Sequence, residues 1–321
     1  MNKRASEVAN GRHVAVVGAG LVGAGWAIVF ARAGLEVRIF DSNEKIAAGV
    51  MSFIQMQLVE MEQYDLIDDP SSVLKRLSVS PSLAHAVQGA IYIQESVLER
   101  VEIKRDVMSQ LQSVVARDVV IGSSTSGIGA SRFTDGMPIA PQVLVVHPVN
   151  PPHLVPVVEL VPSPATSEAA LNFAKEIIAS VGQSVVLVNK EVEGFVLNRL
   201  QGVLLREAWS LVQDGVASCE DIDKTVRDGL GWRWAFMGPF ETIDLNAPGG
   251  VADYAIRLGP LYQSIAASRT HESPWQDDLI RQVETQRRQK LKVKDLAVRR
   301  DWRDKILMAF ARDRRKWLEA E

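Results

Sequence analysis

The chain has 321 residues, 47% of them hydrophobic and 23% charged, with a formal net charge of −3 at pH 7. Such a mixture buries a sizeable core, excludes a disordered or collagen-like chain, and at ~150 residues per domain suggests two domains. It offers no global basic field for nucleic acid or a membrane surface, and the single cysteine, Cys219, excludes an internal disulfide or a multi-cysteine zinc site. A reducing compartment is therefore expected.

In chain order, Val14 to Ala31 comes first, 18 positions without a charged residue and so about the length of a membrane span. It holds Gly18, Gly20, Gly23 and Gly25, however, and the residues before it (Lys3, Arg4, Glu7 and His13) form no apolar signal-peptide run. We expect a cytoplasmic protein without a membrane or nucleic-acid partner. Short β-branched runs at residues 13–17, 36–40, 91–94, 119–122 and 143–146 predict buried strands, and helical spacing at 21–33, 44–64 and 99–115 alternates with them. That alternation predicts a doubly wound, parallel α/β sheet. Residues 148–164 contain six prolines, which exclude a helix and predict an extended segment around Val157–Val161. A helix near 167–181 and a strand at 184–188 complete the unit.

After Lys190 the pattern changes. Val196, Leu200, Val203, Leu204, Ala208 and Leu211 follow helical spacing and strand signals largely vanish. We place a boundary near 190, between a Rossmann-type domain (1–189) and an all-helical domain (190–321). Residues 281–316 hold fourteen Lys/Arg against five Asp/Glu. This reads as a solvated helical arm, the alternative being a polyanion-binding tail.

Two constellations carry chemistry. In the first, the run 14–17 leads into Gly18-Ala-Gly20-Leu21-Val22-Gly23 and then a helix. Gly18 permits a tight turn, Gly20 admits a pyrophosphate to the backbone, and Gly23 lets the helix pack on its strand. Asp41 closes the second strand, where a carboxylate accepts from a ribose diol and repels a 2′-phosphate; Ser42 and Asn43 bring no arginine to reverse that preference. The expected cofactor is NAD rather than NADP. In the second constellation, His147 ends a strand and Glu159 follows twelve residues on. Folded back together, they form a pair suited to general acid–base work. Spacing alone accommodates equally a satisfied core histidine beside an unrelated glutamate, and a metal site of His147, His153 and Glu159 is a further alternative. Ser123-Ser-Thr-Ser126-Gly127 lacks the hydrolase elbow pattern.

The glycine turn, Glu95-Ser-Val-Leu-Glu99 with Lys104, Ser123-Ser-Thr-Ser126, His147-Pro-Val-Asn150-Pro, Glu159 and Gly194-Phe-Val-Leu-Asn198-Arg199 occur in one order. In that order the chain resembles the L-3-hydroxyacyl-CoA dehydrogenase superfamily over nearly its whole length. His147-Pro-Val-Asn-Pro-Pro, Glu159-Leu-Val-Pro, the run 191–201, Gly238-Pro-Phe-Glu-Thr and the tail 297–304 resemble in particular its branch of L-gulonate 3-dehydrogenases and lambda-crystallins. The resemblance implies His147 as general acid/base, Glu159 as its partner, and Ser126 and Asn198 at the reacting oxygen of the substrate. It further implies that Asp41, Glu99, Lys104 and Asn150 line the NAD site, and that the helical domain closes over the substrate and forms a homodimer. Arg100 departs from the asparagine that relatives often carry after the matching glutamate.

The implied activity is oxidation of the 3-hydroxyl of a small polar hydroxy acid. Alternatives are a carnitine dehydrogenase, for which Trp232, Trp234 and Phe236 provide aromatic faces unless they pack at a domain or dimer interface, the reading preferred for them, a hydroxyacyl-CoA dehydrogenase, and a crystallin-like NAD-binding protein without turnover. Residues 46–74 contain no Lys or Arg but five acidic side chains, which disfavours a coenzyme A polyanion. Arg233 is the candidate for a substrate carboxylate, with a salt bridge to Glu241 or Asp244 as the alternative.

Overall fold

β-Branched and aliphatic runs build eight strands: β1 (Val14–Val17), β2 (Val37–Phe40), β3 (Leu77–Val79), β4 (Tyr92–Glu95), β5 (Val120–Ser123), β6 (Val143–Pro148), β7 (Val157–Pro162) and β8 (Ser184–Leu187). The structure, a computed structural model, describes residues 5–269 and 274–318; Lys3 and Arg4 lie outside them. One sheet runs in the order β3-β2-β1-β4-β5-β6-β7-β8. The first six strands are parallel, β7 runs antiparallel to β6, and β8 is parallel to β7. The order reverses between β1 and β4, the switch point at which such sheets bind dinucleotides.

Alternation along the strands explains their unbroken hydrophobicity. Val14 and Val16 of β1 face one core layer with Leu144 and Val146 of β6, whereas Ala15 and Val17 face the other with Val143 and Val145. Both faces are covered, so a strand needs apolar residues at every position. The helix Leu21–Arg32 is buried from Gly23 to Ala31. The long uncharged stretch is thus a buried strand, turn and helix, and among the described residues no helix is long and apolar enough to cross a membrane.

By contacts the chain divides into two compact units, Met1–Leu200 with Arg300–Glu321, and Gln201–Arg299. The carboxy-terminal helix, Leu296–Leu318, is tied to the first unit through Met308, which is fully buried in the core layer of β1. In the second unit the described residues are helices and turns, the longest helices being Gly250–Ala267 and Asp277–Lys290. Part of the basic stretch is ion-paired, with Arg287 on Asp223, Lys290 on Glu220 and Lys305 on Asp301.

Candidate active site

The carboxyl ends of β1, β2, β4, β5 and β6 bring the site together. After β1, Gly18 adopts φ +97°, a conformation that strains any side chain, and a Cβ there would lie 2.5 Å from the carbonyl oxygen of Ser96. A Cβ on Gly23 would strike the Gly18 carbonyl, so the helix packs on the turn only with glycine at this position. Gly20 differs, since open space surrounds its missing Cβ. Gly20 is also the N-cap of Leu21–Arg32 and no side chain caps that helix. The first amides, at Leu21, Val22 and Gly23, are left for an anion, and the positive end of the helix dipole faces the same space. These features fit the diphosphate of NAD. Asp41 follows β2, and its carboxylate accepts from Ala19 N at 2.7 Å and Asn43 N at 2.8 Å. Each oxygen keeps a second lone pair, which is what a ribose diol requires.

The antiparallel turn from β6 to β7 sets His147 opposite Glu159 in register. His147 Nδ1 lies 2.8 Å from Glu159 Oε2, and both residues are buried. An ionised carboxylate only accepts, so Nδ1 carries the proton and donates, and the lone pair is left on Nε2. Glu159 does more than hold the imidazole. Its Oε1 accepts from Val196 N at 2.8 Å and Leu197 N at 2.9 Å, the start of the helix Leu197–Gln213. Burial alone would raise its pKa, but the bonds from His147, Leu197 and Val196 outweigh that and hold it below the usual carboxylate range. The turn that aims these amides passes through Gly194 (φ +74°) and Phe195 (φ +51°). Phe195 is fully buried, its ring 5.7 Å from that of His147.

A second network joins the remaining residues. Glu95, buried at the end of β4, accepts from Lys104 Nζ at 3.0 and 3.2 Å, from Ser123 Oγ and from Val97 N. Lys104 is 1% exposed and also reaches Glu99 Oε2 at 3.5 Å, so it is buried between the two carboxylates rather than open to a ligand. Glu99 Oε1 accepts from Thr125 Oγ1, Ser126 N and Ser126 Oγ at 2.7, 2.7 and 3.1 Å. Burial pushes the Glu99 pKa up, yet these bonds and the Lys104 charge hold it below its ordinary value. Asn198 Nδ2 donates to the Ser126 carbonyl at 2.6 Å. A continuous chain of bonds therefore runs from His147 through Glu159 and the 196–198 turn to Ser126, Glu99, Lys104 and Glu95. The buried Glu95 and Phe195 are the members that sequence reasoning assigns no role.

Other expected residues stand apart from this chain. Asn150 is exposed two residues beyond β6. His153 Nε2 lies 3.3 Å from Gln57 Oε1, away from His147 and Glu159, and no group of three or more metal-ligating side chains gathers among the described residues. Arg233 is exposed in the second unit, on the helix Gly231–Trp234, and forms no ion pair with Glu241 or Asp244.

An open α/β sheet with a dinucleotide turn and an acid–base pair at its carboxyl edge places the molecule among the NAD-dependent oxidoreductases acting on CH–OH groups. Residues 13–192 match the 3-hydroxyacyl-CoA dehydrogenase NAD binding domain and residues 194–295 match its C-terminal domain, so the chain belongs to the 3-hydroxyacyl-CoA dehydrogenase family. Lambda-crystallin of Oryctolagus cuniculus is 38% identical over 308 residues, covering 94% of this chain and 96% of that protein. L-carnitine dehydrogenase of Streptomyces griseus is 37% identical over 250 residues, covering 78% and 74%. Among solved structures, 5-formyl-3-hydroxy-2-methylpyridine 4-carboxylic acid 5-dehydrogenase, an NAD+-dependent dismutase, aligns with a TM-score of 0.71 and 27% identity over 90% of this chain and 97% of that one.

Proposed function

We propose that the protein oxidises the 3-hydroxyl of a small free hydroxy acid, with L-gulonate the first substrate to test. The observation that carries this reading is the buried His147–Glu159 pair, bonded to the start of the helix Leu197–Gln213, whose Asn198 donates to the Ser126 carbonyl. NAD, when bound, supplies the hydride acceptor. His147 Nε2 takes the proton of the substrate hydroxyl, and Glu159 stabilises the imidazolium that results; in reduction the same nitrogen returns the proton. Ser126 and Asn198 position the reacting oxygen, and the Glu95–Lys104–Glu99 network holds Ser126 in place. Asp41, Asn150 and the first amides of Leu21–Arg32 bind the cofactor.

Residues 46–74, which are most of the helix Glu44–Gln63 and the segment after it, carry no Lys or Arg, which supports a free acid over a coenzyme A thioester. The deciding experiment is a screen of NAD reduction with L-gulonate, carnitine, 3-hydroxybutyrate and a 3-hydroxyacyl-CoA. Faster turnover of the thioester than of any free acid overturns the reading, carnitine as the best substrate reassigns the site to the quaternary ammonium, and no turnover at all supports a crystallin-like role.

Three further results are expected. Asp41→Ala weakens NAD more than NADP, measured as the two dissociation constants, because the carboxylate favours the diol and repels a 2′-phosphate. Arg233→Lys raises the KM for the hydroxy acid and leaves NAD affinity unchanged, since an ammonium keeps the charge but loses the guanidinium fork. The third concerns assembly. The second unit exposes Trp232, Phe236, Phe240 and Ile256, each at least 60% accessible, a set of large apolar side chains suited to a partner copy. Light scattering at micromolar concentration should give twice the mass of the 35.3 kDa chain.

A further inference from the structure

We infer that the first unit holds a second ligand site, a cleft for a small dianion at the end of helix Leu21–Arg32 opposite to the glycine turn. The cleft encloses about 900 Å³ and is lined by Arg32, Arg76, Arg314 and Arg315 against Asp68 and Asp69. With a rise of 1.5 Å per residue, Arg32 sits about 17 Å along the helix from Leu21, which separates the cleft from the nucleotide turn.

Its charges are unevenly matched. Arg32 Nη1 donates to the His153 carbonyl at 2.9 Å, and Arg76 Nη1 makes two long contacts of 3.4 Å with Ala31 O and Ser72 Oγ. Neither of them, nor Arg314, has an ion pair among the described residues. Burial lowers the Arg32 pKa to about 10 with no carboxylate acting against it, so the group remains cationic at neutral pH. His153, on the same wall, adds no charge, because burial and Arg32 hold its pKa down to about 4. Arg315 is directed to the Asp65 carbonyl at 2.8 Å, and Asp69 caps the short helix Pro70–Leu74 through Ser72 N.

Three guanidinium groups line one cleft, and most of their N–H donors have no hydrogen-bond acceptor among the described residues. A dianion there accepts forked, charge-assisted bonds. The two aspartates on the rim oppose a long polyphosphate and favour a compact ligand. Inorganic phosphate, a phosphate monoester and a short dicarboxylate share this chemistry.

The test is calorimetric titration of the full chain saturated with NAD, which occupies the glycine turn. Inorganic phosphate and succinate are titrated separately, each against sodium chloride of equal ionic strength. The expected result is one site per chain for at least one of them, and the probe that binds identifies the oxygen geometry recognised. Arg314→Ala removes no hydrogen bond present in the structure and so retains the fold. It should raise the dissociation constant by about tenfold or more, with NAD affinity unchanged. Arg76→Gln should act in the same direction. Heats equal to chloride for both probes, or binding unaltered in Arg314→Ala, would overturn the proposal.

Discussion

His147→Ala lowers turnover by ~10²–10⁴-fold, the usual contribution of a positioned general acid–base group, and leaves NAD affinity unchanged. The separation follows from geometry. His147 lies on β6 and its bonded partner is Glu159 on β7, whereas the diphosphate turn follows β1 and Asp41 follows β2. Measuring kcat under conditions in which chemistry limits the rate, beside NAD binding by fluorescence, checks both halves. A variant retaining more than about a tenth of the wild-type rate would remove His147 from the acid–base role.

Glu159→Gln has a broader effect. One amide oxygen cannot replace a carboxylate that accepts from His147 Nδ1 on one side and from Val196 N and Leu197 N on the other. At least one buried donor loses its partner, which costs about 1–3 kcal/mol of stability, and the imidazolium loses its counter-charge, so turnover also falls. The pH dependence distinguishes this from simple loosening. Because the folded-state pKa of Glu159 is depressed, its contribution to stability is fully present above the unfolded value of about 4.3 and is lost as pH falls through the lower folded value. Thermal unfolding curves between neutral pH and pH 3 should therefore show a smaller acid-side decline in Glu159→Gln than in the wild type.

How much of this site is legible in the chain depends on which physical constraint wrote it. β1, β2, β4 and β5 lie within one residue of their expected positions, because strands covered on both faces need unbroken apolar runs. β3 is missed: three residues at the sheet edge are too few to show a pattern. The prolines after His147 exclude a helix but say nothing of strand direction. β7 runs antiparallel to β6, and it is this turn that brings Glu159 opposite His147. Glu95 and Glu99 are alike in sequence, four residues apart, yet one is buried with Lys104 and the other is partly exposed beside Ser126. Only the burial of the β4 terminus separates their roles. Phe195 carries no signal at all, since a left-handed backbone at an aromatic residue is imposed by the packing around it.

The uncharged stretch from Val14 to Ala31 has a consequence for biosynthesis. β1 pairs with β4, and Tyr92 lies 75 residues beyond Val17, so at ribosomal rates of about 5–20 residues per second the partner strand follows some 4–15 s later. During most of that interval β1 has β2 as a neighbour but lacks β4, so one edge of the most apolar segment of the nascent chain stays open. Substitutions that weaken the β1–β4 seam should therefore reduce the soluble yield of the protein more than the specific activity of the molecules that complete folding.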